Sequence, residues 1–585
     1  MSPIARALSP SPNYRRYRYQ RIPHTPAPHL PRSTIFSPLH SAASNPAFRT
    51  AHLLSVLRKL LFVAALILIG ILFATARSAR SQQLPSPIGA PVPHRFLVAY
   101  RSGSVPGDAD ARVRANLAGT AAHIVSGSNP FGIGVLETAS DTAGEVATIA
   151  ALRADPNVDF VIHDRILSAH SLILRPILPA IAASPLSATP PSSPYDTYYT
   201  STPQSWAILQ SGGFGAGIAG GPAHGPWDTT MGAGVRIAIL DSGVDALHPD
   251  IAPNLAFNLS EIDQSPVTGL PSPCDDGTPQ DQQGHGTWVA SLAAAAIGPG
   301  TGLLIGVAPA ASILNIKVLE RLPGPSSTAP DIAAQCATGQ ASGLLSWVIQ
   351  GIQDAIEQHA DVINLSFGTL VDLDTGEGAG LQAIFDRITY AADQAGAVVI
   401  ASAGNDGLNL ANPRYIELPA QSRSVLAVVA STNPACAENL TVGAACASGP
   451  ITLPYYSNFG APLNAIAAPG GSYPDAATPT PDTALSGWIR GACSNGLPNT
   501  SDGLPTGPLS GAPHSFGCFN LGHTSYVLAM GTSASAPLVA GAAALIRAAN
   551  PTWTPDQIVS ALRASATPTS TLPNAPLLNT PAALP

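Results

Sequence analysis

Val235-Arg236-Ile237-Ala238-Ile239-Leu240-Asp241-Ser242-Gly243-Val244-Asp245 is a β-branched apolar run that stops on an acid and a glycine turn. Short runs of the same character follow at Ile313–Val318, Val362–Leu365, Val398–Ala401 and Val425–Ala430, each bounded by turn residues. Helical stretches lie between several of them, including Leu344–Gln358 and Leu381–Ala395. Apolar runs without polar alternation, separated by helices, predict a parallel sheet covered on both faces. The expected fold class is therefore α/β, a three-layer domain with a mostly parallel central sheet, over residues 196–585. Near its end, Thr554-Pro555-Asp556-Gln557 supplies an N-cap, a proline at the first helical position and a glutamine at N3, so a helix should follow to about Ala564. Residues 471–528 are rich in Gly, Pro and Ser and predict a long loop stapled by two cysteines.

Upstream, residues 92–168 form a small module of mixed elements. Phe96–Tyr100 and Phe131–Leu136 predict strands, Thr142–Arg153 a helix, and Val158–Ile162 a closing strand after Asp155-Pro156-Asn157. Residues 171–195, rich in Pro, Ser and Ala, predict an extended linker. Residues 1–76 are a targeting segment. The apolar run Leu60–Ala74 follows Arg58-Lys59 and ends in Ala74-Thr75-Ala76, the small-residue pattern of a cleaved signal peptide. An uncleaved membrane anchor is the alternative, although the run is at the short edge for a bilayer.

Only 11% of the 585 residues are charged, and residues 1–59 carry nine Lys/Arg and no acid. Removing that segment moves the formal net charge from −8 to −17, which argues against a nucleic-acid partner, since phosphates require clustered Lys and Arg. The six cysteines (274, 336, 436, 446, 493 and 518) all lie beyond the targeting segment. An even count in an exported chain favours disulfides. Neighbours in sequence suggest Cys436–Cys446 and Cys493–Cys518, leaving Cys274–Cys336.

Three settings carry chemistry. Ser533, in Gly531-Thr532-Ser533-Ala534-Ser535-Ala536-Pro537, precedes an Ala-rich helical run, where free N–H groups and the helix dipole favour a developing oxyanion. His285 stands between Gly284 and Gly286, which let the backbone approach other elements and leave the imidazole accessible. Asp241 ends an apolar strand, at the sheet edge where open α/β folds place their ligands. Each alone has a commoner explanation as an N-cap, a packed histidine or a turn residue.

Together, in the order Asp, His, Ser, they resemble the subtilisin-like (subtilase) serine proteases, a family in which that chain order is well known. The matching pieces are Ile239–Asp245 with His248-Pro249-Asp250, then Gly284-His285-Gly286-Thr287, and Gly531-Thr532-Ser533 with Ala536-Pro537. The resemblance covers roughly residues 200–565 and implies an exported endopeptidase that hydrolyses peptide bonds through an acyl-enzyme on Ser533. It implies His285 as general base, Asp241 as its orienting acid, and Asn405 as an oxyanion donor. Loss of such an amide costs about 3–4 kcal/mol of transition-state stabilisation, a magnitude known from subtilisin itself. Without that context Asn405-Asp406-Gly407 would be a turn.

Ser366-Phe367-Gly368 resembles the strand that pairs with extended substrate, with core packing as the alternative for Phe367. By the same resemblance 92–168 is an α+β inhibitory propeptide, cut away within 165–195, so the expected partners are polypeptide substrates and the chain's own propeptide. A membrane is expected as a partner only if 60–76 stay uncleaved. The alternative functions are a membrane-anchored processing protease and a catalytically silent peptide-binding protein. No cofactor is implied for the chemistry; structural calcium is common in the family, with Asp250, Asp275 and Asp276 as candidate acids. The chain departs from the family pattern at Trp288 (usually His), Ala534 (commonly Met) and Leu538 (commonly His).

Overall fold

The computed structural model describes residues 89–101, 111, 115, 123–138, 142–169, 173–176, 206–215, 224–263, 271–297, 304–323, 335–336, 339–433, 451–471, 488–494, 518–519 and 525–584. The targeting segment and the Cys436–Cys446 pair lie outside them.

The N-terminal module runs β1 (Pro91–Tyr100), β2 (His123–Ser126), β3 (Ile133–Glu137), α1 (Thr142–Ala154) and β4 (Val158–Ala169). Its sheet is antiparallel in the order β2-β3-β1-β4. Next comes β5 (Ile173–Pro176), so four residues of the stretch expected as a linker form a strand.

The large domain opens with α2 (Trp206–Ser211), β6 (Arg236–Asp241), β7 (Leu255–Ser260), α3 (His285–Ala294) and β8 (Ser312–Lys317). It continues with β9 (Glu320–Leu322), β10 (Gln340–Leu344), α4 (Leu345–Glu357), β11 (Val362–Leu365), β12 (Phe367–Asp372) and α5 (Gly376–Gln394). The remaining elements are β13 (Val398–Ser402), β14 (Tyr415–Leu418), β15 (Val425–Ser431), β16 (Ala465–Pro469), β17 (Ile489–Ala492), β18 (Tyr526–Met530), α6 (Thr532–Ala549), α7 (Pro555–Ser565) and α8 (Thr580–Ala583).

Seven strands, ordered β16-β15-β13-β11-β6-β8-β7, make a wholly parallel sheet. Alternate residues of each strand enter opposite cores, as a two-residue period requires. Ile237, Ile239, Val398 and Ile400 join one core with Val289 and Leu292 of α3 and Val539 and Leu545 of α6. Ala238, Leu240, Val399 and Ala401 join the other with Val348 and Ile352 of α4 and Leu381 and Phe385 of α5. The three-layer α/β expectation therefore holds. The proposed cap of α7 forms as well: Gln557 N donates to Thr554 Oγ1, and Thr554 N donates to Gln557 Oε1.

Two disulfides are present among the described residues, Cys274–Cys336 and Cys493–Cys518. The second lies between β17 and β18, which pair antiparallel where a loop was expected over 471–528, and β18 also pairs with β5.

A buried carboxyl in this domain makes stability depend on pH. Burial pushes Glu320 from its ordinary 4.5 to about 8; Asp275 adds to the shift, while the Ser272 N–H and Lys317 oppose it. The folded state then holds a proton that the unfolded chain releases above 4.5, so stability falls as pH rises from about 4.5 to 8. Glu320→Gln should remove that slope, worth as much as about 5 kcal/mol. Denaturant unfolding at pH 5 and pH 9, on an inactivated background, checks it; equal slopes in both chains would refute it.

Candidate active site

β6, β11 and β13 deliver their C-terminal ends to one edge of the parallel sheet, and the predicted residues gather there. Asp241, the last residue of β6, is fully buried. Its Oδ1 accepts from Ser242 N and from His285 Nδ1, both at 2.7 Å. His285 is the first residue of α3. The helix start comes this close because residue 286 has no side chain: a Cβ there would lie 2.1 Å from Gly243 O and 3.1 Å from Asp241 Cβ. Gly286→Ala should therefore displace His285 and lower turnover per titratable site by about 100-fold or more, the scale of a misplacement near 1 Å. Active-site titration with steady-state kinetics checks this, and turnover within about threefold of the parent would contradict it.

Asp281 holds the same loop and was not singled out from sequence. Its Oδ1 accepts from Ser242 Oγ (3.0 Å), Gln283 N (2.9 Å) and Gly284 N (2.7 Å). Its Oδ2 accepts from Thr287 N (2.9 Å) and Thr287 Oγ1 (2.6 Å). Burial pushes this carboxyl's pKa up, and the hydrogen bonds counter that by favouring the charged form. The Asp-x-x-Gly-His spacing was the available signal: an acid four residues before the first residue of a helix can satisfy its free N–H groups.

Ser533 is the second residue of α6, so its N–H is one of the four that a helix start leaves without an intrahelical acceptor. Pro537, four residues on, has no N–H for Ser533 O; Ser366 Oγ donates to that carbonyl instead, at 3.2 Å. Ser533 Oγ donates to Ser366 O at 3.0 Å. Asn405 follows β13, and its Oδ1 accepts from Thr532 N (2.9 Å) and Thr532 Oγ1 (2.8 Å). The turn before it requires glycine, since Gly404 has φ +98° and a Cβ there would lie 2.2 Å from Asn458 Nδ2.

Ser366, Phe367 and Gly368 lie beside these groups, and Phe367 is fully buried. Phe367 and Gly368 pair antiparallel with Ala169 and Ser168 of β4, while β10 pairs along the other edge of the same segment. The end of β4 is thus an added strand between two strands of the large domain.

The departures are accommodated by packing. Trp288 is fully buried against the β17 backbone, where a Cβ on Gly491 would meet the indole at 2.0 Å. Ala534 and Leu538 are buried in α6. Of the acids considered for calcium, Asp275 accepts from Lys317 Nζ at 2.8 and 2.9 Å, and Asp276 accepts from Thr278 N and Oγ1. Asp250 is buried 3.8 Å from His248 Nδ1. Among the described residues no group of three or more His, Cys, Asp or Glu forms a metal-binding arrangement.

A model of the subtilase family matches residues 232–578. Thermitase of Thermoactinomyces vulgaris is 36% identical over 190 residues, 32% of this chain and 54% of thermitase. Subtilisin NAT of Bacillus subtilis subsp. natto is 31% identical over 338 residues, 57% of this chain and 61% of that protein. The chain thus spans little more than half the length of these relatives. The epidermin leader peptide processing serine protease of Staphylococcus aureus superposes with a TM-score of 0.54 at 18% identity, over 84% of this chain and 97% of that one. Fervidolysin of Fervidobacterium pennivorans, a keratinolytic enzyme related to subtilisin, superposes with a TM-score of 0.52 at 19% identity, over 86% and 62%. At these identities the superpositions concern the fold alone.

Proposed function

The chain belongs to the subtilase family, and from that premise we propose that it is a serine endopeptidase, made as an exported zymogen. The observation that carries this is the convergence of Asp241, His285, Asn405 and Ser533 at the C-terminal edge of the parallel sheet.

In the proposed reaction Ser533 Oγ turns from Ser366 O, attacks the substrate carbonyl and passes its proton to His285 Nε2. The oxyanion is met by the Asn405 amide and the Ser533 N–H. Asn405 Oδ1 accepts from Thr532 N and Oγ1, so Nδ2 is the amide atom that would donate. Collapse of the adduct breaks the C–N bond, and His285 returns the proton to the leaving amine. Water, activated by the same imidazole, then releases the acid from Ser533. Asp241 fixes the ring through Nδ1 and favours its charged form. These steps use only protein groups and water.

Residues 92–168 are proposed as an inhibitory propeptide. In support, β4 ends as an added strand in the cleft, and the module is docked by charge. Arg95 is buried with Glu137 (2.9 Å) and Asp164 (3.0 Å) of its own module and reaches across to Asp263 (2.6 Å), while Asp164 Oδ1 accepts from Ser346 N in the first turn of α4. Arg165 pairs with Glu377, and His163 Nδ1 meets Glu377 at 2.7 Å. The register supports a narrower cleavage position than 165–195. Gly368 opposes Ser168 and Phe367 opposes Ala169, and the carbonyl of Ser366, the residue before Phe367, contacts Ser533 Oγ, so the strand end at Ala169 points the cut to just beyond it. The bond after His170 is the proposed self-cleavage site.

The purified mature protein should cleave casein and label with a fluorophosphonate, and its N-terminus should fall at 171. Failure of both activities, with Ser533→Ala as the control, would refute the enzyme. An N-terminus upstream of residue 92 would refute the zymogen.

A further inference from the structure

The loop that carries His285 is held from outside as well as by the Asp281 side chain. Four consecutive carbonyls of that loop accept hydrogen bonds from residues distant in sequence. Gln280 O accepts from Lys317 Nζ (3.0 Å), and Asp281 O accepts from Ser494 Oγ (2.5 Å). Gln282 O accepts from Arg321 Nη1 (3.1 Å), and Gln283 O accepts from Phe519 N (2.5 Å). Gly284 follows at φ +107°, and His285 then opens α3. The place of the imidazole therefore depends on where these donors hold the backbone just before it.

Two of the four donors share one staple. Ser494 follows Cys493 and Phe519 follows Cys518, and the disulfide between those cysteines is fully buried, with their Cα atoms 5.3 Å apart. The same corner reaches α3 directly, because Ala492 N, at the end of β17, donates to Ser291 Oγ at 3.0 Å. Cys493 N donates to Ser525 O at 2.7 Å, which ties the staple to the residue before β18. β18 in turn ends at Met530, and Ser533 follows in the first turn of α6. One stapled hairpin thus runs into the nucleophile at one end and grips the histidine loop at the other.

Ser533 and His285 stand on separate helices and must exchange a proton, which tolerates little relative movement. A misplacement near 1 Å can cost about 100-fold in rate. A cross-link limits how far the two arms of the hairpin can separate, and so how far the Ser494 and Phe519 donors can drift from the loop.

We propose that the Cys493–Cys518 disulfide is a positioning element for catalysis, fixing His285 relative to Ser533 through Ser494 and Phe519. This rests on the serine endopeptidase reading above. The staple acts through the loop backbone, so its loss should appear in turnover and leave substrate binding on β10 and β12 largely alone.

The test compares the mature enzyme with Cys493→Ser/Cys518→Ser and, separately, with Ser494→Ala, which keeps the disulfide and loses one hydroxyl. Each is assayed on one internally quenched peptide, with competent sites counted by fluorophosphonate titration. Titration corrects for unfolded protein, so a staple that serves stability alone would leave kcat per titrated site unchanged. Both variants should lose about tenfold or more in kcat per site, with KM within about threefold and labelling slowed in proportion. If the cysteine variant does not fold, Ser494→Ala decides. A kcat per site within about threefold of the parent in either folded variant, or a loss confined to KM, would overturn the proposal. A parent enzyme that neither labels nor cleaves would overturn the protease reading beneath it.

Discussion

Ser533→Ala should yield an uncut and inert chain, with peptide turnover lower by on the order of 10⁶-fold, the scale known for removing the nucleophile of a subtilisin-type triad. The same oxygen is proposed to cut the propeptide and every later substrate, so both effects should appear together. Alanine removes the Oγ donor to Ser366 O, yet the Ser366 Oγ bond to the residue-533 carbonyl and the helix start are built from other atoms. The variant should therefore fold with the β4 end still held between β10 and β12. Intact-mass measurement distinguishes the two chains: the parent loses everything through residue 170, and the variant retains 92–170. Processing of pure Ser533→Ala at the parent's rate would show that a different group, or a different protease, makes the cut.

The parallel sheet was legible because its strands are buried on both faces, leaving continuous apolar runs such as Ile237–Leu240 in place of a polar alternation. The α7 cap was legible because all of its chemistry lies within four consecutive residues. α5 begins at Gly376, earlier than the expected Leu381, because its first turn is Gly-Glu-Gly and carries no apolar period. The start is fixed by Thr375, whose side chain accepts from Gly378 N. β17 and β18 were hidden by the Gly/Pro/Ser composition around them; pairing with each other and closure by Cys493–Cys518 hold them in place. β5 was hidden in the same way, since its partner is β18, more than 350 residues away in sequence.

The site divides along the same line. Asp241, His285 and Ser533 were visible because each sits in a short local motif, and their order made them a set. Asp281 was less visible because one of its partners, Ser242, lies 39 residues earlier in the chain. A carboxylate whose partner comes from a distant loop has no full signature in its own neighbourhood.

Asp241→Asn should keep the fold and lose about 10⁴-fold in kcat, the cost found when the orienting acid of a Ser-His-Asp triad becomes an amide. The substitution is nearly isosteric, and an amide oxygen at the Oδ1 position can still accept from Ser242 N. What disappears is the full negative charge 2.7 Å from the ring nitrogen. The neutral ring can tolerate that loss, but the imidazolium that forms as Ser533 attacks loses its only triad counter-charge. If the amide is turned the other way, Nδ2 donates to His285 Nδ1 and forces the tautomer that cannot accept the Ser533 proton. Both orientations should therefore slow acylation and leave peptide binding largely alone, because the strands proposed to hold substrate, β10 and β12, do not involve Asp241. The expected pattern is a collapse in kcat with KM changed by less than about threefold, and fluorophosphonate labelling slowed in proportion. A variant that keeps kcat within about tenfold of the parent would remove Asp241 from the triad and leave His285 without an assigned acid.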